Sequence, residues 1–249
     1  MTTTVHRFAA ASRMEWIKLR TLRSTWWTLA VTVAGATGIG VAVGANSKDA
    51  SADLTNNVLA GVAPGLLLVG VLGVLTMTGE YSSGMIRATL AAVPDRPLLL
   101  TAKATVFGLV TLVLGEVTAF VAFLAGRAAL HGRLTAPGLG QPGVLRAVVL
   151  SGAGIALMGL FGLGLGAIVR HSAAALATYV GVVFVAGQLL LAVAPAAVRW
   201  VPPAIVGDSL GVSRTASGDL SPWAGPAVLC GYAAVALGAG AWTLTRRDG

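Results

Sequence analysis

The sequence has 249 residues, of which 56% are hydrophobic and only 10% are Asp, Glu, Lys or Arg, and its formal net charge is +8. A soluble domain carries roughly 25% charged residues, so this composition excludes an ordinary water-facing surface and indicates a membrane protein. The single cysteine, Cys230, excludes an intrachain disulfide and a thiolate zinc cluster.

The first predicted element is a basic amphipathic helix within residues 1–24. Met14, Ile17 and Leu22 recur at spacings that can place them on one helical face. The polar remainder holds the densest basic cluster of the sequence: Arg7, Arg13, Lys18, Arg20 and Arg23. Such a helix can lie in the membrane interface with its basic side chains on anionic headgroups. The alternative is a basic lead-in without defined structure that only orients the chain.

Six apolar runs are long enough to cross a bilayer, which needs about 20 residues per helix. We predict spans at about 25–46, 57–78, 98–126, 147–169, 173–196 and 222–245. Trp26 and Trp27 stand at the entrance of the first span, as expected of an aromatic anchor at the headgroup level. The predicted fold is therefore an all-α polytopic membrane protein in which residues 1–249 form one transmembrane domain.

The basic residues predict the orientation of these spans. By the positive-inside rule, the cluster before the first span holds the N-terminus in the cytoplasm. Alternation then places residues 79–97, the turn at Arg170 and the C-terminus inside, together with most of the 17 Lys and Arg residues. The connection 127–146 is an exception to the positive-inside rule, because it has three arginines and no acidic residue and yet is placed outside. We accordingly assign the positive charge to membrane orientation rather than to nucleic-acid binding.

The segment between the second and third spans is neither long enough to cross the membrane nor plainly a linker. A short apolar stripe can form there from Met85, Ile86, Thr89 and Leu90. Glu80 and Arg87 are offset from the stripe, Tyr81 adds an aromatic ring, and Pro94 ends any helix. We predict a short cytoplasmic helix that contacts a soluble partner. The alternative is a simple surface turn.

The third span carries an acidic residue, Glu116, near its middle. An acid at mid-bilayer costs at least about 2.5 kcal/mol, so Glu116 should face the bundle interior. One hypothesis makes it a polar contact on a substrate route, or the ion site of a carrier or channel that works without ATP. The other makes it a structural hydrogen-bonding residue.

Glycines are frequent in the fourth span, where Gly162 and Gly166 have the G-x-x-x-G spacing. Small residues let membrane helices approach closely. We expect these two glycines to pack helices within one subunit rather than to form a dimer face.

Several catalytic motifs are missing from the sequence. None of the three lysines follows a glycine, so there is no P-loop, and the histidines are too scattered for an H-E-x-x-H metal helix. We therefore expect no catalytic residue, metal or cofactor in this chain. Gly207-Asp208-Ser209-Leu210-Gly211 matches G-x-S-x-G, but a hydrolase centred on Ser209 would need a strand before it and a later histidine, and none follows His171. That reading is a remote alternative.

Two stretches carry a resemblance to a known family: Glu15-Trp16-Ile17-Lys18-Leu19-Arg20 with Ser24-Thr25-Trp26-Trp27, and Gly79-Glu80-Tyr81 with Gly84-Met85-Ile86-Arg87-Ala88-Thr89-Leu90. With the six-span layout, the chain resembles the permease subunit of bacterial ABC-2 type exporters. The resemblance implies that the segment from Glu15 to Arg23 is an interfacial connecting helix. It also implies that the segment from Glu80 to Leu90 contacts an ATPase.

The resemblance further implies the partners of the chain. Two copies of a separate ATP-binding subunit would use ATP and Mg, and a second permease subunit, identical or different, would complete the transporter in the cytoplasmic membrane. The outer connection 197–222 lies where some relatives have a re-entrant helical hairpin, and Pro202-Pro203 permits only a broken version. The cargo is not encoded in any motif, so drugs, lipids and hydrophobic peptides are equally compatible.

Overall fold

The computed structural model describes residues 2–47, 54–130, 138–209, 221 and 223–247, and all regular elements within these ranges are helices. In chain order they are α1 (Thr2–Thr21), α2 (Arg23–Asn46), α3 (Leu54–Val58), α4 (Val62–Ser82), α5 (Met85–Ala92), α6 (Arg96–Leu130), α7 (Val144–Val169), α8 (Ser172–Val180), α9 (Ala186–Val193), α10 (Pro202–Ser209) and α11 (Ala224–Arg247). A π-helical turn, Gly181–Val185, joins α8 to α9, and a 3-10 helix, Pro195–Trp200, precedes α10.

The predicted six spans are confirmed within this part of the chain. Helices α2, α4, α6, α7 and α11, and the continuous unit Ser172–Val193, are each long and apolar enough to cross a membrane. This architecture indicates a multi-pass membrane protein. Several boundaries differ from those predicted. In particular, α6 has 35 residues and is about 52 Å long, well beyond a hydrocarbon core of about 30 Å.

The second span begins later than predicted, at Val62, because the short helix α3 and a turn occupy residues 54–61. A Cβ added at Gly61 would lie 2.0 Å from the carbonyl oxygen of Ala36, so this turn presses directly on α2. In the loop after the fifth span, the 3-10 helix ends at Trp200 and α10 begins at Pro202, so the helical path is interrupted at Val201. Proline is tolerated in a first turn because the N–H groups there have no intrahelical acceptor.

Helix α7 lies at the centre of the bundle, packed against α4, α6 and α11. Its glycines make the closest approaches. A Cβ at Gly162 would lie 2.2 Å from the carbonyl oxygen of Gly70, and one at Gly166 would lie 2.9 Å from that of Val74. Both contacts are to α4 of the same chain. The expected role of the G-x-x-x-G pair in packing within one subunit is therefore borne out by these contacts.

The Tyr179 side chain fixes α8 against α4. It is fully buried, and its hydroxyl donates a 2.6 Å hydrogen bond to the carbonyl oxygen of Leu66. This bond crosses a helix interface that leaves no room beside Gly70, where an added Cβ would lie 1.8 Å from the Tyr179 hydroxyl oxygen.

Two arginines hold the last helix at the end of the bundle where α1 lies, which we call the α1 end. Arg170, which ends α7 with φ 62°, donates from Nη2 to the carbonyl oxygen of Thr243 at 2.7 Å. Arg96 Nη1 donates to the carbonyl oxygen of Leu244 at 3.0 Å. Both arginines satisfy carbonyls in the last turns of α11, where a helix favours positive charge. The N-terminal helix and the end of α11 thus lie at the same end of the bundle.

Replacing Gly70 by alanine should destabilise the bundle, because the new methyl group overlaps the Tyr179 ring. We expect a loss of about 1–3 kcal/mol, seen as a lower melting temperature of the purified protein in detergent. The matched control is Gly79→Ala in the same helix, where nothing lies within 4 Å of the added Cβ. Equal melting temperatures for the two variants would contradict this packing.

Candidate functional site

Four charged side chains from three helices meet at the α1 end. Glu15 and Lys18 come from α1, Glu80 from α4 and Lys103 from α6. Lys18 Nζ lies 2.9 Å from Glu15 Oε1 and 2.9 Å from Glu80 Oε1. Lys103 Nζ lies 2.5 Å from Glu15 Oε2 and 2.6 Å from Glu80 Oε1. Each ammonium therefore contacts both carboxylates, and we call this closed arrangement the charge cluster.

The charge cluster is withdrawn from solvent. Glu15, Glu80 and Lys103 expose 1%, 3% and 2% of their surfaces, while Lys18 is half-buried. Removing ions from water costs several kcal/mol each, and only close opposite charges offset that cost. Two cations and two anions make the cluster formally neutral, so it can persist at the edge of an apolar bundle. Loss of any one member leaves an uncompensated buried charge.

Apolar packing brings α1 to this position. Ala11 and Phe8 pack with Leu98 and Ala102 of α6, one to two turns before Glu15. On the following turn, Leu19 joins the cluster of buried residues that includes Phe107. Glu15 lies between these two anchors and Lys18 follows it at i+3, so both side chains are directed to the place where α4 meets α6.

The segment after α4 is connected to the same cluster. Gly84 has φ 71°, a left-handed conformation that ends α4 and turns the chain into α5. In α5, Ile86 and Thr89 are buried, and Thr89 Oγ1 lies 3.2 Å from Lys18 Nζ. The charge cluster therefore joins α1, α4, α5 and α6.

The electrostatics favour the charged form of Lys18. Burial alone would lower its pKa, but hydrogen bonds to Glu80 and Glu15 and their negative charges outweigh burial and raise the pKa above its ordinary value. One acceptor remains unused: Glu80 Oε2 is buried and has no hydrogen-bond partner among the described residues. This oxygen is available to a donor that reaches the cluster.

The other sequence-predicted residues of the N-terminal segment lie outside the charge cluster. Trp16, Trp26 and Trp27 are exposed, as are Arg20 and Arg23. The indole Nε1 of Trp26 donates to the carbonyl oxygen of Arg20 at 3.0 Å, which ties the start of α2 to the end of α1. These residues form an exposed basic and aromatic surface, as an interfacial helix would require.

The predicted coupling residues divide into an inner and an outer group. Glu80 and Ile86 are buried, and Tyr81 and Leu90 are half-buried. Met85 and Arg87 are exposed on α5. A partner could therefore touch Met85 and Arg87, whereas Glu80 acts inside the chain.

Sequence reasoning missed the role of three residues. Lys103 is a single basic charge in an apolar run and belongs to no motif, and the sequence predicts Thr89 only as part of a stripe. Arg170 was counted as a turn residue, yet its guanidinium lies 5.4 Å from the centre of the Tyr81 ring and also holds α11. The one available signal is the isolated basic charge of Lys103 in a spanning segment. Such a charge requires acidic partners, but the sequence does not indicate which residues they are.

Glu116 lies apart from the charge cluster, about 20 Å further along α6 than Lys103. Its side chain is half-buried and makes no hydrogen bond or ion pair to a described residue. It faces α7 at a point of close approach, since a Cβ added at Gly152 would lie 2.8 Å from Glu116 Cδ.

The Ser209 motif does not have the structure of a nucleophile elbow in the part of the chain that is described. Ser209 is the last residue of α10, whereas a nucleophile elbow joins a strand to a helix, and Leu210 and Gly211 of the same motif lie outside the described residues. Where residues are described, no group of three or more His, Cys, Asp and Glu side chains could hold a metal ion.

Comparison of the sequence with protein-family models and with curated proteins finds no match.

Removing the Lys103 charge should strongly destabilise the protein, because Glu15 and Glu80 would keep buried charges with one cation between them. We expect Lys103→Met to cost about 3–5 kcal/mol. The double variant Glu80→Gln with Lys103→Met should recover part of that loss, since it removes one charge of each sign. Melting temperatures in detergent measure both effects.

The exposed Arg87 provides the control for this comparison. Arg87→Gln also removes one positive charge from the α1 end and should leave the melting temperature unchanged. Additive losses in the Glu80 and Lys103 double variant would show that the two side chains do not interact.

Proposed function

We propose that this chain is the transmembrane permease subunit of an ATP-binding cassette exporter. A separate ATPase subunit, present in two copies, binds ATP and Mg, and a second permease subunit completes the transporter. The N- and C-termini lie in the cytoplasm, and the substrate is a drug, a lipid or a hydrophobic peptide. The resemblance in residues 15–27 and 79–90 motivates the proposal, and the geometry of the charge cluster supports it.

The single observation that carries the proposal is the ionic connection between those two stretches. The resemblance to ABC-2 permeases implies that residues 15–27 include an interfacial helix and that residues 79–90 include an ATPase-coupling segment. In the structure, Lys18 of the first lies 2.9 Å from Glu80 of the second, and Lys103 lies within 2.6 Å of both Glu15 and Glu80. A subunit driven by an external motor needs such a firm connection between the contacted surface and its spans.

The arrangement allows a movement of α5 to be transmitted to the spanning helices. Met85 and Arg87 are exposed on α5, while Ile86 and Thr89 fix the opposite face of that helix to the charge cluster. A displacement of α5 is therefore passed to α4 and α6, which continue through the bundle. Arg170 and Arg96 tie the end of α11 to the same region. ATP-driven closure of the partner subunits would rock these helices and change which side of the bundle is open.

The proposal predicts that a tagged chain isolated from its native membranes brings down a P-loop ATPase. Arg87→Glu reverses the charge of the exposed α5 surface and should reduce recovery of the ATPase at least tenfold without changing the melting temperature of the permease. Gln141→Glu is the control for an added acidic residue, because Gln141 is exposed and lies before the first residue of α7, at the end of the bundle opposite α5. Mass spectrometry of the eluate measures the recovery.

The absence of any P-loop ATPase from the wild-type eluate would contradict the proposed function. Equal recovery with wild type and Arg87→Glu would retain the partner but reject α5 as its contact surface.

A second candidate function, an ion-coupled carrier or channel, is favoured by one observation. Glu116 is a half-buried carboxyl group in a spanning helix and has no described partner. The purified chain in liposomes would then transport under an ion gradient alone, and Glu116→Gln would abolish that flux. ATP-dependent transport that is unchanged in Glu116→Gln, at normal expression, would reject this role.

A further inference from the structure

The surface of α1 bears two neighbouring grooves, and Lys18 is the one member of the charge cluster that lines either of them. The larger has a volume of about 720 Å³ and lies between α1 and the connection from α5 to α6. The second, of about 570 Å³, continues around α1. Ala10 and Met14 line both grooves, so the two volumes share a floor.

The walls of the larger groove are mainly apolar. They comprise Ala10, Ala11 and Met14 on one side and Val93, Pro94 and Leu98 on the other. The two grooves run along α1 from Arg7 to Lys18, a distance of about 16 Å at the helical rise of 1.5 Å per residue. An extended apolar chain fits such a channel better than a compact polar molecule does.

The charged groups at the rim favour an anion. Arg7 borders the larger groove and Arg13 the second, and both are exposed with no hydrogen bond or ion pair to a described residue. Lys18 ends the second groove but its charge is already matched by two carboxylates. Asp95, the acidic residue at the rim, caps α6 by accepting from the backbone N–H of Leu98 at 3.1 Å. Arg7 and Arg13 together outweigh the single negative charge of Asp95, so the net charge of the rim is positive and its basic groups are located on α1.

The surroundings place this surface at the level of lipid headgroups. α1 packs beside the first turns of α6, which is too long for the hydrocarbon core alone. Trp16 and Ile17, a short distance along α1, expose 47% and 52% of their surfaces. Exposed tryptophans next to arginines are typical of the boundary between headgroups and acyl chains.

We propose that the α1 grooves form a binding site for an anionic phospholipid. The phosphate lies against Arg7 and Arg13, and one acyl chain lies along Ala10 and Met14 between α1 and the α5–α6 connection. A lipid bound there would fill the space beside the charge cluster and stabilise α1 in its packed position. This inference concerns the chain alone and does not depend on an ATPase partner.

Native mass spectrometry of the purified chain tests the proposal with phosphatidylglycerol and phosphatidylcholine of equal acyl length. We expect phosphatidylglycerol to bind at least fivefold more tightly. Because a basic residue near anionic lipid contributes about fivefold in affinity, Arg7→Gln with Arg13→Gln should weaken phosphatidylglycerol binding about 25-fold. The control, Arg199→Gln with Arg246→Gln, makes the same charge change at exposed positions outside both grooves and should alter binding less than twofold.

A second pair of variants tests the apolar part of the site. Ala10→Trp fills the shared floor while leaving both arginines, and it should abolish preferential binding. Ala88→Trp, on an exposed face of α5 that lines neither groove, should not.

Four results would overturn the inference. These are equal affinity for the two lipids, equal loss in the two arginine double variants, unchanged binding in Ala10→Trp, and displacement of the lipid by inorganic phosphate alone. None of them bears on recovery of an ATPase from native membranes, so failure of the lipid site and failure of the proposed function are distinguishable.

Discussion

A buried lysine in a membrane-spanning helix is the constraint on which the α1 end of this protein depends. Lys103 exposes 2% of its surface, and α6 offers it no acidic residue of its own nearer than Glu116, about 20 Å away. Its charge must therefore be matched from other helices, and it is matched by Glu15 and Glu80. Those carboxylates in turn require α1 to lie against α6 and α4 to end beside it. Lys18 then restores neutrality and reaches Thr89 of α5.

The consequence is a stiff region at one end of a bundle whose remaining helix contacts are mainly apolar. Helix α7 packs through glycines, which let its backbone approach the neighbouring helices closely. These contacts do not join particular polar atoms of two helices. The charge cluster, by contrast, connects particular atoms on four helices. The arginines at positions 96 and 170 extend the same region to α11. A force applied to the exposed side of α5 is transmitted through these connections, which is the physical basis for proposing a subunit that is moved by a partner.

Much of the fold could be predicted from the sequence. Apolar runs of sufficient length predict spanning helices because a bilayer leaves the backbone no other partner, and all six were found. Boundaries were less predictable: the turn before Val62 is set by the close approach of Gly61 to α2, which has no local sequence signal. The short helix that begins at Pro202 could not be predicted, because a proline pair is compatible both with a break in a helix and with the first turn of a new one.

The candidate site was only partly predictable. Glu15, Lys18 and Glu80 were selected for their place in recognisable segments, but their mutual contact depends on a tertiary arrangement that brings residues 88 positions apart together, as Lys103 and Glu15 show. We infer that the charge cluster holds α1 and α5 together as one rigid body. Electron paramagnetic resonance tests it with spin labels on Arg20→Cys and Arg87→Cys, after Cys230→Ser removes the native thiol. We expect a narrow distance distribution that broadens when Lys103→Met is added. A distribution that Lys103→Met leaves unchanged would contradict it.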